Sequence, residues 1–155
     1  MSLVRYFGYN LGWLGNVEGY YAGSPCLYED TGEHWDGLFY LQGVWLAHPR
    51  ELMHDRATNT YTDYTEFRFT ARGLSLKMGS QEAQPCRVRV MLDGKPLKSV
   101  VRGCDVYPEK DGHTYVYVDT FRMYSLLELE DISTHDFRLF SNTPGLTLAA
   151  FCITE

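Results

Sequence analysis

The chain has 155 residues, 14 basic against 20 acidic side chains and a formal net charge of -6, with no basic cluster; nucleic acid and anionic membrane surfaces are poor partners for it. No apolar run reaches bilayer length and no signal-peptide pattern opens the sequence. The 12 Tyr, 8 Phe and 3 Trp, the frequent Gly and the absence of Ala-rich runs favour an all-β chain, and the length suits one core.

Met1-Ser2-Leu3 reads as an expression scar ahead of a single domain over residues 4–155. Residues 4–37, rich in Gly, Tyr and turn formers, show no sustained period and read as an irregular entry with one or two short strands. Leu38 to Leu46 is the most apolar strand, suited to a sheet centre with both faces covered, and Pro49 ends it. The stretch HPRELMHDRATNT reads as a connection with at most one helical turn at Arg50 to Met53.

Tyr64 to Met78 predicts two strands, with Phe67, Phe69 and Ala71 sharing a face, then Leu74, Leu76 and Met78, bent at Gly73. GSQEAQP is loop. Cys86 to Leu92 alternates strictly into Asp93-Gly94, which predicts a tight hairpin and a return strand; Asp105 to Val118 predicts a second hairpin about Asp111-Gly112. Thr120 to Leu129 fits strand or short helix. HDFRLF and LTLAAFCI are alternating strands joined by the SNTPG turn. Short antiparallel strands without long helices predict a jelly-roll-like β-sandwich.

Cys26, Cys86, Cys104 and Cys152 contain no C-x-x-C pair. In the simple hairpin register Cys86 faces Val101, not Cys104, so free, mostly buried thiols are expected.

Several segments together, RYFGY at 5–9, GVWLAHPRELMH, YTEFRFTARGLSLKMG, RVRVMLDGKPL, GCDV, FRMYSLLEL and the closing HDFRLFSNTPGLTLAAFCI, resemble the C-terminal domain attached to thioredoxin-like proteins of the DipZ thiol:disulfide interchange type. The resemblance implies a jelly-roll sandwich similar to carbohydrate-binding modules, a piece of a longer bacterial protein whose upstream thioredoxin domain performs the redox chemistry. It implies a cell-envelope or periplasmic setting, although a cytosolic relative would look no different over these residues. The catalytic C-x-x-C is missing here, so reductase activity does not carry over, and the FCITE terminus departs from the aromatic-glycine ending of relatives.

The expected function is a non-catalytic accessory domain that binds carbohydrate, with a protein-interaction or dimerisation domain positioning the redox domain as the alternative. Sugars stack their apolar faces on exposed aromatics beside polar groups, which makes Trp35, Trp13, Tyr20, Tyr21 and Tyr107 the candidate binding residues. Trp35 in EDTGEHWDG is the best placed for exposure; Trp45 is expected in the core. No metal or cofactor is expected: His48, His54 and Asp55 match no ligand spacing, and Asp30, Glu33 and Asp36 read as a solvated acidic loop more readily than a calcium site. Ser133, His135 and Asp136 are poorly spaced for a triad, and His135 reads as a strand-start residue satisfied by a carbonyl. Glu128, Glu130 and Asp131 show no glycosidase pair across a cleft, and Cys86 or Cys104 lacks a basic cluster to activate a thiol. Partners are therefore the upstream thioredoxin domain, a carbohydrate or protein ligand, and a second copy of the chain.

Overall fold

The computed structural model describes residues 2–81 and 84–155; Met1 and the Glu82-Ala83 part of the GSQEAQP loop lie outside them. Ten strands run in the order β1 (Ser2–Tyr6), β2 (Cys26–Tyr28), β3 (Phe39–Ala47), β4 (Leu52–His54), β5 (Asp63–Ser80), β6 (Cys86–Leu92), β7 (Val106–Pro108), β8 (Thr114–Val118), β9 (Arg122–Ser141) and β10 (Leu146–Thr154), with one 3-10 turn at Tyr9–Leu11. No α-helix occurs among the described residues.

Two long antiparallel strands organise the sandwich. β5 and β9 pair from Asp63↔Ser141 to Met78↔Arg122, but the register shifts between Ala71 and Gly73, and residues 129–132 of β9 lack a partner there. A bulge of this kind bends both strands. The half beyond the bend pairs with β10, whose outer edge carries β1; the other half joins β3 on one side and β6, β8 and β7 on the other. β4 bridges β3 to β10. The sheet therefore doubles back over itself as an antiparallel β-sandwich. Apolar residues alternate inward along the central strands, as in Phe67, Phe69 and Ala71 of β5, because successive side chains point to opposite faces. Phe67 stacks on Phe137 of its own layer at 6.0 Å and on Phe151 of the opposite layer at 5.2 Å, and Phe7 closes the cluster. Trp45 is fully buried, as expected.

Several local expectations change. Tyr64 to Met78 forms one bent strand instead of two, and Thr120 to Leu129 is strand, the first half of β9. The Arg50-to-Met53 turn is extended: Leu52 pairs with Ala47 and Leu148, which buries its side chain. Asp93-Gly94 does form a tight turn, closed by Leu92 and Lys95 with Asp93 at φ 50, yet no return strand follows. Both edges of β6 are already taken by β8 and β9, so residues 95–104 leave the sheet and Leu97 turns inward instead. Cys86 consequently faces Val118, not Val101. The second hairpin forms as read, Val106 opposite Val116. All four thiols are free, but only Cys86 is buried and Cys104 is exposed.

One buried charge knot ties these strands together. The fully buried His54 of β4 meets Asp63 of β5 through Nε2 at 2.8 Å and the Thr143 carbonyl through Nδ1 at 2.8 Å, and Arg56 donates twice to the same carboxylate at 2.7 and 2.6 Å. His54 is thus a structural clamp and does not meet His48.

Candidate ligand-binding face

The register sets which side chains share the outer face of the larger layer. One row reads Gln42, Tyr64, Phe140, Arg89, Tyr115 and Tyr107 across β3, β5, β9, β6, β8 and β7; the next reads Tyr40, Glu66, Arg138 and Met91, followed by Arg68 opposite Asp136. With strands about 4.8 Å apart, the first row spans about 24 Å. Guanidinium groups stack on aromatic rings across the face: Arg138 lies 3.9 Å over the Tyr64 ring, Arg89 4.5 Å over Tyr61, and Arg87 4.4 Å over Tyr115.

A loop crosses one end of this face between β2 and β3. Its Asp30 backbone N–H donates to Gln42 Oε1 at 2.9 Å, and Tyr64 donates its hydroxyl to Asp30 Oδ2 at 2.7 Å. His34 places Nε2 at 2.8 Å from both Asp30 oxygens and Nδ1 against Glu66 Oε2, while its ring lies 4.3 Å from that of Tyr40. Arg138 Nε donates to the other Glu66 oxygen at 2.7 Å. Each imidazole nitrogen faces a carboxylate oxygen. The Trp35 N–H donates to Tyr40 Oη at 2.7 Å, and the Gly37 N–H returns the loop to the Arg68 carbonyl at 2.7 Å. The Trp35 backbone is pinned on both sides while its indole is 74% exposed. Glycine is needed at residue 37, where φ is 86 and a Cβ would press on the Arg5 guanidinium.

The acidic loop is therefore not simply solvated, as its composition implied. Burial pushes the Asp30 carboxyl up, but the Gly32 N–H, the Tyr64 hydroxyl and His34 outweigh it and hold the group below its usual range. Burial likewise raises the Asp63 carboxyl, and Arg56, His54 and the Val44 N–H bring it lower. Burial disfavours the charged Arg138, yet Glu66 and its neighbours keep it above its ordinary value; burial and Asp30 drive Tyr64 upward.

These carboxylates predict acid sensitivity. Because both aspartates have lower pKa values folded than unfolded, their stabilisation is present above the unfolded value of about 3.9 and is lost as pH falls through the folded values. The urea midpoint should hold from neutral pH to about 5 and drop steeply below about 4, with a shallower drop in Asp63→Asn. Equal acid slopes in the two proteins would refute the assignment.

Asp30, His34 and Glu66 form the one metal-capable set found among the described residues, each with a ligand atom within 4.8 Å of the others. Those atoms are engaged with one another, with Tyr64 and with Arg138, and the arrangement stands as an ion-pair latch.

The five aromatics singled out from the sequence do not converge. Trp35 stands at one end of the face and Tyr107 at the other, in the edge strand, 6.3 Å from Tyr115. Trp13, Tyr20 and Tyr21 belong to the segment running beside β3. The Trp13 ring lies under Arg5 at 3.9 Å, Tyr20 donates to the Phe7 carbonyl at 2.8 Å, and the exposed Tyr21 packs on Tyr28. Tyr64, Phe140 and Arg138 line the face as well, and the alternation in YTEFRF and HDFRLF places them opposite core residues, as CRVRVML does Arg89. His135 is mid-strand and meets side chains, not a carbonyl: Nε2 lies 2.8 Å from Ser133 Oγ and Nδ1 2.6 Å from Asp93 Oδ2. The partner is Asp93 rather than Asp136. Since Asp93 also accepts the Asp136 N–H at 2.9 Å, the triplet braces the Asp93-Gly94 turn against β9.

The profile of the thioredoxin-like C-terminal domain matches residues 5–153. The chain belongs to that family. No curated protein matches the domain significantly. Among solved structures it is similar to a family two carbohydrate esterase from Cellvibrio japonicus, with a TM-score of 0.60 and 12% identity over 99% of the domain and 34% of the esterase chain. The domain thus spans about a third of that protein, and the likeness is one of fold.

Proposed function

We propose that this domain is a non-catalytic accessory module of a thioredoxin-like thiol:disulfide interchange protein of the DipZ type, and that it binds carbohydrate on the outer face of its larger layer. The observation that carries the reading is Trp35: an indole 74% exposed, on a loop fixed by its own backbone, beside a set of ordered polar groups. An exposed apolar ring on a loop pinned by its backbone, next to hydrogen-bonding side chains, suits a pyranose, and the fixed loop lowers the entropy lost on binding. On a glycan array the domain should bind a defined set of saccharides, and Trp35→Ala should weaken the best hit by about tenfold or more. A folded, monodisperse domain that binds none would end the sugar reading.

A second reading, as a surface for the upstream redox domain, draws on the opposite layer. There Tyr6, Leu11, Phe121 and Ala150 line a groove of about 690 Å³ beside the edge strand β1. It requires the parent protein's thioredoxin domain to bind this groove, and Phe121→Glu to abolish that binding.

A further inference from the structure

We propose that the face selects acidic saccharides, with the outward edge of the Arg138 guanidinium receiving the carboxylate of a uronic acid residue. The inference rests on the carbohydrate reading and names its ligand class. Arg138 is the arginine of the face whose one bonded donor is Nε, which leaves the paired Nη1 and Nη2 edge open. Arg68 gives Nη1 to Asp136 at 3.1 Å, and Arg89 gives Nε and Nη2 to the Tyr115 hydroxyl. Arg138 uses Nε alone, on Glu66, and among the described residues its Nη1 and Nη2 meet no acceptor.

Those two groups are nevertheless held in place. The guanidinium carbon lies 3.9 Å over the Tyr64 ring, Phe140 flanks it at 5.8 Å, and Glu66 fixes the Nε edge. The side chain is 34% exposed. A planar fork with its orientation already set is suited to a two-point contact with a carboxylate. Of the two nearby carboxylates, Glu66 pairs with Arg138 Nε, and Asp30 accepts from the Tyr64 hydroxyl and lies against His34 Nε2. Arg138 is joined to the Trp35 loop through Glu66 and His34, so the stacking ring and the anion fork belong to one braced unit. A hexuronate offers both features, an apolar ring face and a carboxylate at its rim. A sulfated sugar shares the oxyanion but not its planar two-oxygen form.

Calorimetry would compare a galacturonate hexamer, a sulfated oligosaccharide and a neutral hexose hexamer on the wild type, Arg138→Lys and Trp35→Ala. The uronate should bind at least about tenfold tighter than the neutral sugar. Arg138→Lys, which keeps the charge and a donor for Glu66, should shrink that preference about tenfold at an unchanged melting temperature, and Trp35→Ala should weaken both classes together. Equal affinity for uronate and neutral sugars, or a preference untouched by Arg138→Lys, overturns the inference and leaves the carbohydrate reading standing. Selection of the sulfated sugar over the uronate overturns the carboxylate assignment. Absence of binding to all three removes both readings.

Discussion

Asp63→Ala should destabilise the domain by about 3–5 kcal/mol, the cost of leaving a buried charged network without one partner. The carboxylate accepts five hydrogen bonds, from Val44 N at 3.3 Å, His54 Nε2 at 2.8 Å, Arg56 Nε and Nη2 at 2.7 and 2.6 Å, and Thr62 Oγ1 at 3.5 Å. Arg56 is 40% exposed and can turn to water, so its loss costs little. His54 cannot, because its side chain is sealed and its other nitrogen is committed to the Thr143 carbonyl. Removing Asp63 therefore orphans a buried imidazole and frees β4, β5 and the turn before β10 from one another. Asparagine keeps an acceptor in place and should cost less, about 1–3 kcal/mol. Urea unfolding at neutral pH checks both, with an unchanged denaturant slope expected if only the folded state is weakened. A midpoint for Asp63→Ala indistinguishable from wild type would show the knot to be dispensable. The same carboxylate explains Gly43 in the middle of β3: φ there is 105, and a Cβ would come within 2.0 Å of Asp63 Cγ.

Features set by local chemistry were legible in the sequence. Asp111-Gly112 joins two short strands, Gly73 bends β5, and Trp45 lies in the core because its strand is predominantly apolar. What could not be read is decided by competition for strand edges. Asp93-Gly94 carries the same turn chemistry as Asp111-Gly112, yet only the second closes a hairpin, because β9, far along the chain, has claimed the edge of β6 that a return strand would use. The site follows the same rule. Trp35 was legible as exposed because its neighbours are polar. Its anchor was not, since His34 reaches Glu66 in a strand 32 positions later and Arg138 arrives from the other side of the sheet. The polar run around Asp30 has the composition of a solvated loop, and only the Tyr64 hydroxyl and His34 ring above the sheet turn it into a buried ion-pair latch. The aromatic content pointed to Trp13, Tyr20 and Tyr21 as binding residues, and the structure places them in the segment beside β3, away from the Trp35 loop, with Tyr20 bonded to the Phe7 carbonyl.

Phe67→Ala should be comparably damaging, about 3–5 kcal/mol, and for a reason that locates the centre of the fold. Phe67 is fully buried on the inner side of the strand whose outer side carries Glu66 and Arg68. Its ring is nearly parallel to that of Phe137, 10° between planes at 6.0 Å, and stacks on Phe151 at 5.2 Å across the two layers, with Phe7 edge-on at 5.8 Å. Truncation removes contacts to both layers at once. The neighbours are strands fixed by hydrogen-bond ladders, which cannot collapse into the gap, so the cavity persists and adds to the lost transfer energy. Leucine refills most of the volume and should cost well under half as much. For a chain of this size each kcal/mol moves the melting temperature by about 2–4 °C, so Phe67→Ala should melt roughly 10 °C lower. Because Phe67 sits directly beneath Glu66, the same variant tests how far the binding face depends on the core. A face held by its own latch should keep its glycan affinity in Phe67→Leu below the melting transition, whereas a parallel loss of affinity and stability would show that the core, not the Asp30–His34–Glu66 network, sets the position of Arg138.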